Sequence, residues 1–327
     1  MRAAWYTKLG SAGDVLEVGE QETPAPGPGE VRVRVRASGI NPVDVKRRAG
    51  GRGALASTLV VPHFDGAGVI DQVGEDVDSG RLGNRVWIYE AQWGRNLGTA
   101  AEFATVPESR AVPLPPNATF ADGACLGIPA LTAHRCVYGD GPVEGQTVLV
   151  TGGAGAVGAY AIQCARLGGA RVLSTVSADE KARVARAAGA DTVINYREED
   201  VAARVEELTD GEGVDRIVEV EMGGNLDASI EMLKANGVIS AYASEGEPEP
   251  AVPFYTLLYK NLTVRFELVF LMPEDAKQKA VEDLTKWLAE GELRHTVAER
   301  FALDNVVAAH EAVESGPLGK VLLDLGL

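Results

Sequence analysis

Cysteine is scarce in this chain: three residues in 327, Cys125, Cys136 and Cys164. They are far apart, odd in number and form no C-x-x-C pair, which excludes a disulfide framework and predicts a reducing, cytoplasmic setting. Histidine is nearly as scarce, with four residues, His63, His134, His295 and His310. The inventory for a metal site is therefore thin, and none is expected. No run approaches the ~18 apolar residues of a membrane span. The opening "MRAAWYTKLG" lacks the apolar stretch of a signal peptide. Positive charge is also short, with 31 Lys and Arg against 47 Asp and Glu, a net charge of −16. So acidic a surface repels nucleic-acid phosphates and anionic lipid, so neither nucleic acid nor membrane is expected as a partner. No G-x-S-x-G is present, which removes the nucleophile elbow of the hydrolases.

What is present is the balance of a soluble globular protein: 46% hydrophobic and 24% charged residues. The length suits two domains and a core that needs no covalent staples. The first third reads as β-rich. "EVRVRVRASG" alternates valine and arginine at the period of a half-exposed strand with solvated arginines. "PAPGPG" before it is a turn-rich connector. "VVPHFDGAGVIDQVG" and "NRVWIYEAQ" read as further strands.

From about Gln146 the rhythm changes to strand and helix in alternation: "TVLV", "AVGAYAIQCARLGG", "ARVLSTVS", "ADEKARVARAAG", "DTVINY", "EEDVAARVEELT", "VDRIVEV", "NLDASIEMLKAN", "GVISAYA". That order predicts right-handed β-α-β units and a doubly wound parallel sheet, an α/β fold. "NLTVRFELVF" reads as a last strand crossing back. "EDAKQKAVEDLTKWLAEGEL" reads as an amphipathic helix with Val281, Leu284 and Leu288 on one face. Two short strands around a helix follow it. The simplest layout is a dinucleotide domain inserted into a domain made from both ends of the chain.

The stretch "VTGGAGAVGAY" carries Gly153, Gly155 and Gly158 in G-x-G-x-x-G spacing, after an apolar strand and opening a helix. The pattern alone is a weak signal. In this context it predicts a pyrophosphate cradled by Gly153, Ala154, Gly155, Ala156, Val157 and Gly158 at a helix N-terminus. Gly153 is expected to make the tight turn, Gly155 to permit the close approach and Gly158 to pack helix on strand. An NAD site places an acid at the end of the second strand, on the ribose 2′-hydroxyl. Here that strand ends Thr175, Val176, Ser177. Ser177 as a donor and Lys181 as a cation suit a 2′-phosphate, which selects NADPH.

Zinc chemistry lacks its ligands. A catalytic zinc needs three protein donors, and the early cysteine of zinc alcohol dehydrogenases is replaced by Asn41 in "ASGINPVD". "PHFDGAG" offers His63 and Asp65 rather than a His-Glu pair, and His63 reads as a polar loop residue. His134, in "LTAHRCVYG", reads either as a residue near the active site or as a satisfied surface histidine. Cys125 and Cys164 read as small buried hydrophobes.

"GEVRVRVRASGINPVDVKRRAG", "DGAGVIDQVGEDV", "GIPALTAHRCV", "VLVTGGAGAVGAYAIQCARLGGARV", "AGADTVINYREED" and "GKVLLDL" stand in the order seen in medium-chain dehydrogenases/reductases. Over essentially its whole length the chain resembles their zinc-free branch, the NADPH-dependent quinone oxidoreductases of the zeta-crystallin type. The resemblance implies a GroES-like catalytic domain over 1–121 and 264–327, a Rossmann domain over 122–263, and an active site in the cleft between them. It implies that Asn41 and Thr132 lie near nicotinamide and substrate, and that Ser177, Lys181 and Tyr196 surround the 2′-phosphate. It places Phe266 to Phe270, with Phe270 a cofactor contact, along the cleft. It also implies a homodimer joined through an edge strand of the Rossmann sheet. The chain departs from the family at Lys46, where a tyrosine is common, at His134 and Arg135, and in the loop "GGRGALASTLVVPHFDGAG".

Quinone reduction suits such a site. Hydride transfer leaves a stable hydroquinone anion that water can protonate, so positioning and hydrogen bonding by Asn41 and Thr132 suffice. Reduction of an α,β-unsaturated ketone or aldehyde is the rival within the enzyme class. It needs a placed proton donor, for which His134 is the candidate. A non-catalytic role, structural or RNA-binding, is the rival outside it. NADPH turnover would mark the enzyme, and salt-dependent RNA binding would mark the binder.

Overall fold

The computed structural model describes residues 1–51 and 57–326. Packing divides the chain into two units, residues 1–129 with 281–327, and residues 130–280.

In the first unit, β1 (Arg2–Trp5) and β2 (Glu17–Glu20) form an antiparallel pair on either side of the short helix α1 (Ala12–Val15). Then come β3 (Glu30–Ile40), α2 (Pro42–Ala49), β4 (Asp65–Val73), β5 (Arg85–Ile88), β6 (Phe103–Pro107), β7 (Ala111–Pro113) and the long α3 (Phe120–Tyr138). The valines of "EVRVRVR" all face inward, as the alternation predicts, with Val31, Val33 and Val35 buried. Arg34 is exposed, as expected, whereas Arg32 and Arg36 are half-buried. Arg32 makes a two-point contact with Asp71, both bonds 3.0 Å, and lies over the Phe103 ring.

One edge of β3 pairs with β4 along most of its length. The other is shared, with β6 alongside Glu30–Arg34 and a strand from the far end of the sequence alongside Ala37–Ile40. α3 breaks at Gly127, whose φ of 15° and ψ of −118° are not helical.

In the second unit, β8 (Thr147–Val150), α4 (Ala156–Leu167), β9 (Arg171–Val176), α5 (Asp179–Ala188), β10 (Thr192–Asn195), α6 (Val201–Leu208), β11 (Val214–Glu219), α7 (Met222–Met232), β12 (Leu233–Ala241), α8 (Phe254–Tyr259) and β13 (Thr263–Phe266) follow in order. The sheet runs β10-β9-β8-β11-β12-β13 with every neighbouring pair parallel. This is the doubly wound Rossmann order, reversing direction between β8 and β11. Leu149, Leu173, Ile194, Ile217 and Ile239, one from each inner strand and β10, meet in one buried cluster. The segment "NLTVRFELVF" does not cross back as a long strand. Its strand is limited to Thr263–Phe266, which adds β13 in parallel to the sheet edge.

The helix α9 (Glu274–Glu290) leads back to the first unit, where β14 (Val297–Ala302), α10 (Val306–Glu314) and β15 (Lys320–Asp324) complete the chain path. Leu284 and Leu288 on α9 are buried, as the spacing predicts. β15 inserts between β14 and β3. Its Val321 and Leu323 join Val35, Ile40 and Ala309 in the core.

Candidate active site

The glycine loop leaves β8 at Thr151. The tight turn falls at Gly152, with φ of +64°, one residue before the Gly153 expected to make it. Gly153 is required for another reason: a Cβ there would lie 1.9 Å from Ser174 Oγ on β9. Gly155 precedes the first turn of α4, and Gly158 presses that turn onto the loop, where a Cβ would come 2.4 Å from the Gly152 carbonyl oxygen. Ala154, Ala156 and Val157 complete the loop and the first turn. The opening N–H groups of a helix have no intrahelical partner, so this turn offers donors and a positive dipole end to an anion.

Ser177 follows the end of β9, and Lys181 Nζ donates to its Oγ at 3.0 Å. Tyr196 follows β10. Its N–H binds the Val176 carbonyl at 3.0 Å, which draws it to the end of β9, while its side chain is 52% exposed. The structure thus brings a hydroxyl, an ammonium and a phenol to one edge, with no acid at the strand end.

The second half of α3 carries Thr132 and His134, both buried. His134 is no surface histidine; its ring tilts against Tyr138 at 4.6 Å between centroids. Arg135 Nε bonds Glu267 Oε2 at 3.2 Å. Phe266, the last residue of β13, is exposed, and Phe270 beyond it is buried.

Asn41 stands at the end of β3, at the start of α2, and is 2% exposed. Its N–H binds Asp44 Oδ2 at 2.7 Å. Its side-chain Nδ2 donates to Asp65 Oδ2 at 2.8 Å, and its Oδ1 accepts from Lys320 Nζ. Lys320 Nζ also pairs with Asp65 Oδ2 at 2.8 Å. Strand register explains the meeting. β4 sets Asp65 opposite Gly39, and β15 sets Val321 opposite Ile40, so the preceding Lys320 arrives beside Asn41. Sequence reasoning missed Asp65 and Lys320 as partners of Asn41. "GKVLLDL" was legible as a strand, but its register against "ASGINP" was not. The nearby Asp44 carboxyl is pushed up to about 7, first by burial and then, among charges, by Asp65.

His63 does lie in the loop before β4, as expected, but it is no solvated one. It is fully buried, with a left-handed φ of 81°. Its Nε2 lies 2.9 Å from His310 Nε2 and its Nδ1 2.9 Å from Ser38 Oγ. Ser38 Oγ lies 2.7 Å from Thr99 Oγ1, which donates to the Asp65 carbonyl at 2.6 Å. Among the described residues no group of three or more His, Cys, Asp or Glu is arranged to hold a metal. Of the departing loop, residues 52–56 lie outside the described residues.

Two family models match: "Alcohol dehydrogenase GroES-like domain" over residues 27–116 and "Zinc-binding dehydrogenase" over 156–288. The quinone oxidoreductase of Rattus norvegicus is 30% identical over 326 residues, covering 99% of this chain and 97% of that one. The chain belongs to the quinone oxidoreductase branch of the medium-chain dehydrogenases/reductases. Among solved family structures, Escherichia coli quinone oxidoreductase complexed with NADPH superposes with a TM-score of 0.86 at 27% identity, over 99% of this chain and 100% of that one. An NAD-dependent alcohol dehydrogenase superposes at 0.89 and 29% identity over 100% of both chains. Family membership accords with the GroES-like and Rossmann assignment and with an oxidoreductase activity.

Proposed function

We propose that the protein is a zinc-independent quinone reductase that uses NADPH. The observation that carries the reading is the likeness to quinone oxidoreductases along the whole chain. The residues fit the cofactor. Glycines at 153 and 158, where a Cβ would collide with Ser174 and Gly152, let the loop and the first turn of α4 pack tightly, and that turn offers its opening N–H groups to a pyrophosphate. Ser177 and Lys181, already bonded to each other, with Tyr196 beside them, supply the donors and charge that a 2′-phosphate needs. Bound NADPH supplies hydride. The chain's own task is to place the acceptor and to meet the charge that develops on its oxygen. Asn41 keeps one amide N–H beyond the one given to Asp65, and Thr132 contributes a hydroxyl. Donors fixed before reaction lower the barrier because they need no reorganisation as charge forms.

We read the protein as a homodimer joined along β13. That strand has an open edge, and beside it Phe254, Tyr255, Leu258 and Tyr259 of α8 expose their rings and side chains together with Phe266. Apolar surface of this kind beside an unpaired strand favours strand addition from a second copy. A cytoplasmic setting accords with three buried, free cysteines.

The test is consumption of NADPH and NADH with ortho-quinones, para-quinones and enones, with and without chelator. Chelator-insensitive loss of NADPH with a quinone supports the reading. Turnover confined to enones would move the substrate, and loss of activity with chelator would refute zinc independence.

A further inference from the structure

We infer that Lys320 and Asp65 are positioning residues: together they fix which way the Asn41 amide faces and strengthen the N–H it presents to substrate. The inference rests on the reading of Asn41 as a substrate-binding residue given above.

The two ends of a side-chain amide have nearly the same shape, so neighbours decide its orientation. Here the neighbours leave one choice. An ammonium only donates, and Lys320 Nζ faces Asn41 Oδ1. An ionised carboxylate only accepts, and Asp65 Oδ2 faces Asn41 Nδ2 at 2.8 Å. Turning the amide over would set oxygen against carboxylate and N–H against ammonium, two repulsive contacts in place of two bonds.

The clamp is itself held. Asp65 Oδ1 accepts from the Ile128 N–H at 2.9 Å, at the break in α3. That break needs Gly127, because a Cβ there would fall 1.9 Å from the same oxygen. The Lys320 stem runs past Gly39, where a Cβ would lie 2.7 Å from Cε. Asp65 is fully buried and Lys320 is 4% exposed, so both charges are removed from water. A buried ion pair is a poor source of stability compared with apolar residues of the same volume. Its value here is directional. A cation on the amide oxygen also draws electron density from the nitrogen, and linked hydrogen bonds in a medium of low dielectric strengthen one another. The remaining N–H of Asn41 is thereby a better donor to an oxygen gaining charge than an unclamped amide would be.

The experiment compares N41A, K320M, K320R and the double variant K320M/D65N for quinone-dependent NADPH turnover, NADPH dissociation constant and thermal midpoint. The double variant removes both charges and leaves neither orphaned, so it folds where K320M alone is destabilised. The expected result is a fall of about tenfold or more in kcat for N41A, K320M and the double variant, with the NADPH dissociation constant within about twofold of the parent and partial recovery in K320R. In protein without cofactor, selectively labelled with ¹⁵N-asparagine, the Asn41 side-chain amide shifts should move in K320M and largely return in K320R. A double variant that regains both its thermal midpoint and parental kcat, with unmoved Asn41 shifts, overturns the inference and leaves a merely structural pair. Unchanged turnover in N41A instead overturns the reading of Asn41 itself.

Discussion

Replacing His310 with glutamine should flatten the acid limb of the stability curve. The bond directions around the buried imidazole pair fix its protonation. Thr99 gives its single hydroxyl proton to the Asp65 carbonyl, so Ser38 donates to Thr99 and accepts from His63 Nδ1–H. His63 Nε2 is then an acceptor, and His310 Nε2–H is its donor. Both rings are neutral, and among the described residues His310 Nδ1 has no partner. Burial first, and then the Arg48 guanidinium, hold His310 at about 3 rather than its ordinary 6.5. Burial first, then His310 and Lys320, hold His63 well below the same value. Both folded values are depressed, so the unfolded chain takes up protons first. The contribution to stability is complete above about pH 6.5 and is lost as pH falls towards the folded values. At about 1.4 kcal/mol for each pH unit, His310 alone removes on the order of 3 kcal/mol between pH 6.5 and 4.5.

Asp44 works the other way. Its raised value means that the folded state binds the proton more tightly, so its contribution grows as pH falls from about 7 towards the ordinary 3.8. The parental curve contains both effects, and subtracting the H310Q curve isolates the imidazole. Glutamine retains an N–H donor for His63 and does not titrate. Urea midpoints followed by far-UV circular dichroism from pH 7.5 to 4.5 should show the two proteins converging by that amount. Parallel curves would refute the reasoning.

G127A should lower stability and turnover together, because the methyl would strike the Asp65 carboxylate; thermal midpoints and kcat report it. K181A should raise the NADPH dissociation constant at least tenfold and leave NADH nearly unaffected, read by fluorescence titration, if its ammonium meets the 2′-phosphate as proposed. Native protein at pH 8 should resist thiol reagents until denatured. Burial pushes the Cys125 thiol up to about 12 and Cys136 higher still, so almost no thiolate is present. Y259E places a charge on a residue 83% exposed at the proposed dimer face, so light scattering should show a shift to monomer with the fold retained.

The parallel sheet was legible because each β-α unit announces itself locally: an apolar run, a turn, a helix with one oily face. Ser177 and Lys181 were legible for the same reason, being four positions apart at one strand-to-helix junction. The tight turn was placed one residue late because "TGGAG" offers adjacent glycines and spacing does not say which takes positive φ. β13 was misjudged because an apolar stretch with β-branched residues reads the same whether it extends one sheet or crosses to another. His63 and Lys320 were beyond reach altogether. Their partners lie at His310 and Asn41, and only strand pairing between distant segments brings them together.

That pairing sets an order on biosynthesis. The edge of β3 at Ala37–Ile40, which carries Asn41 into place, is closed by β15. The intervening residues, 130–280, form a unit of their own and can fold while the ribosome continues. Throughout that interval the nascent chain holds an open strand edge at Ala37–Ile40, the kind that pairs with neighbours or recruits chaperones. The charged clamp on Asn41 is therefore among the last contacts made, and a ribosome that stalls before residue 320 releases a chain with a finished nucleotide fold and an unfinished first unit.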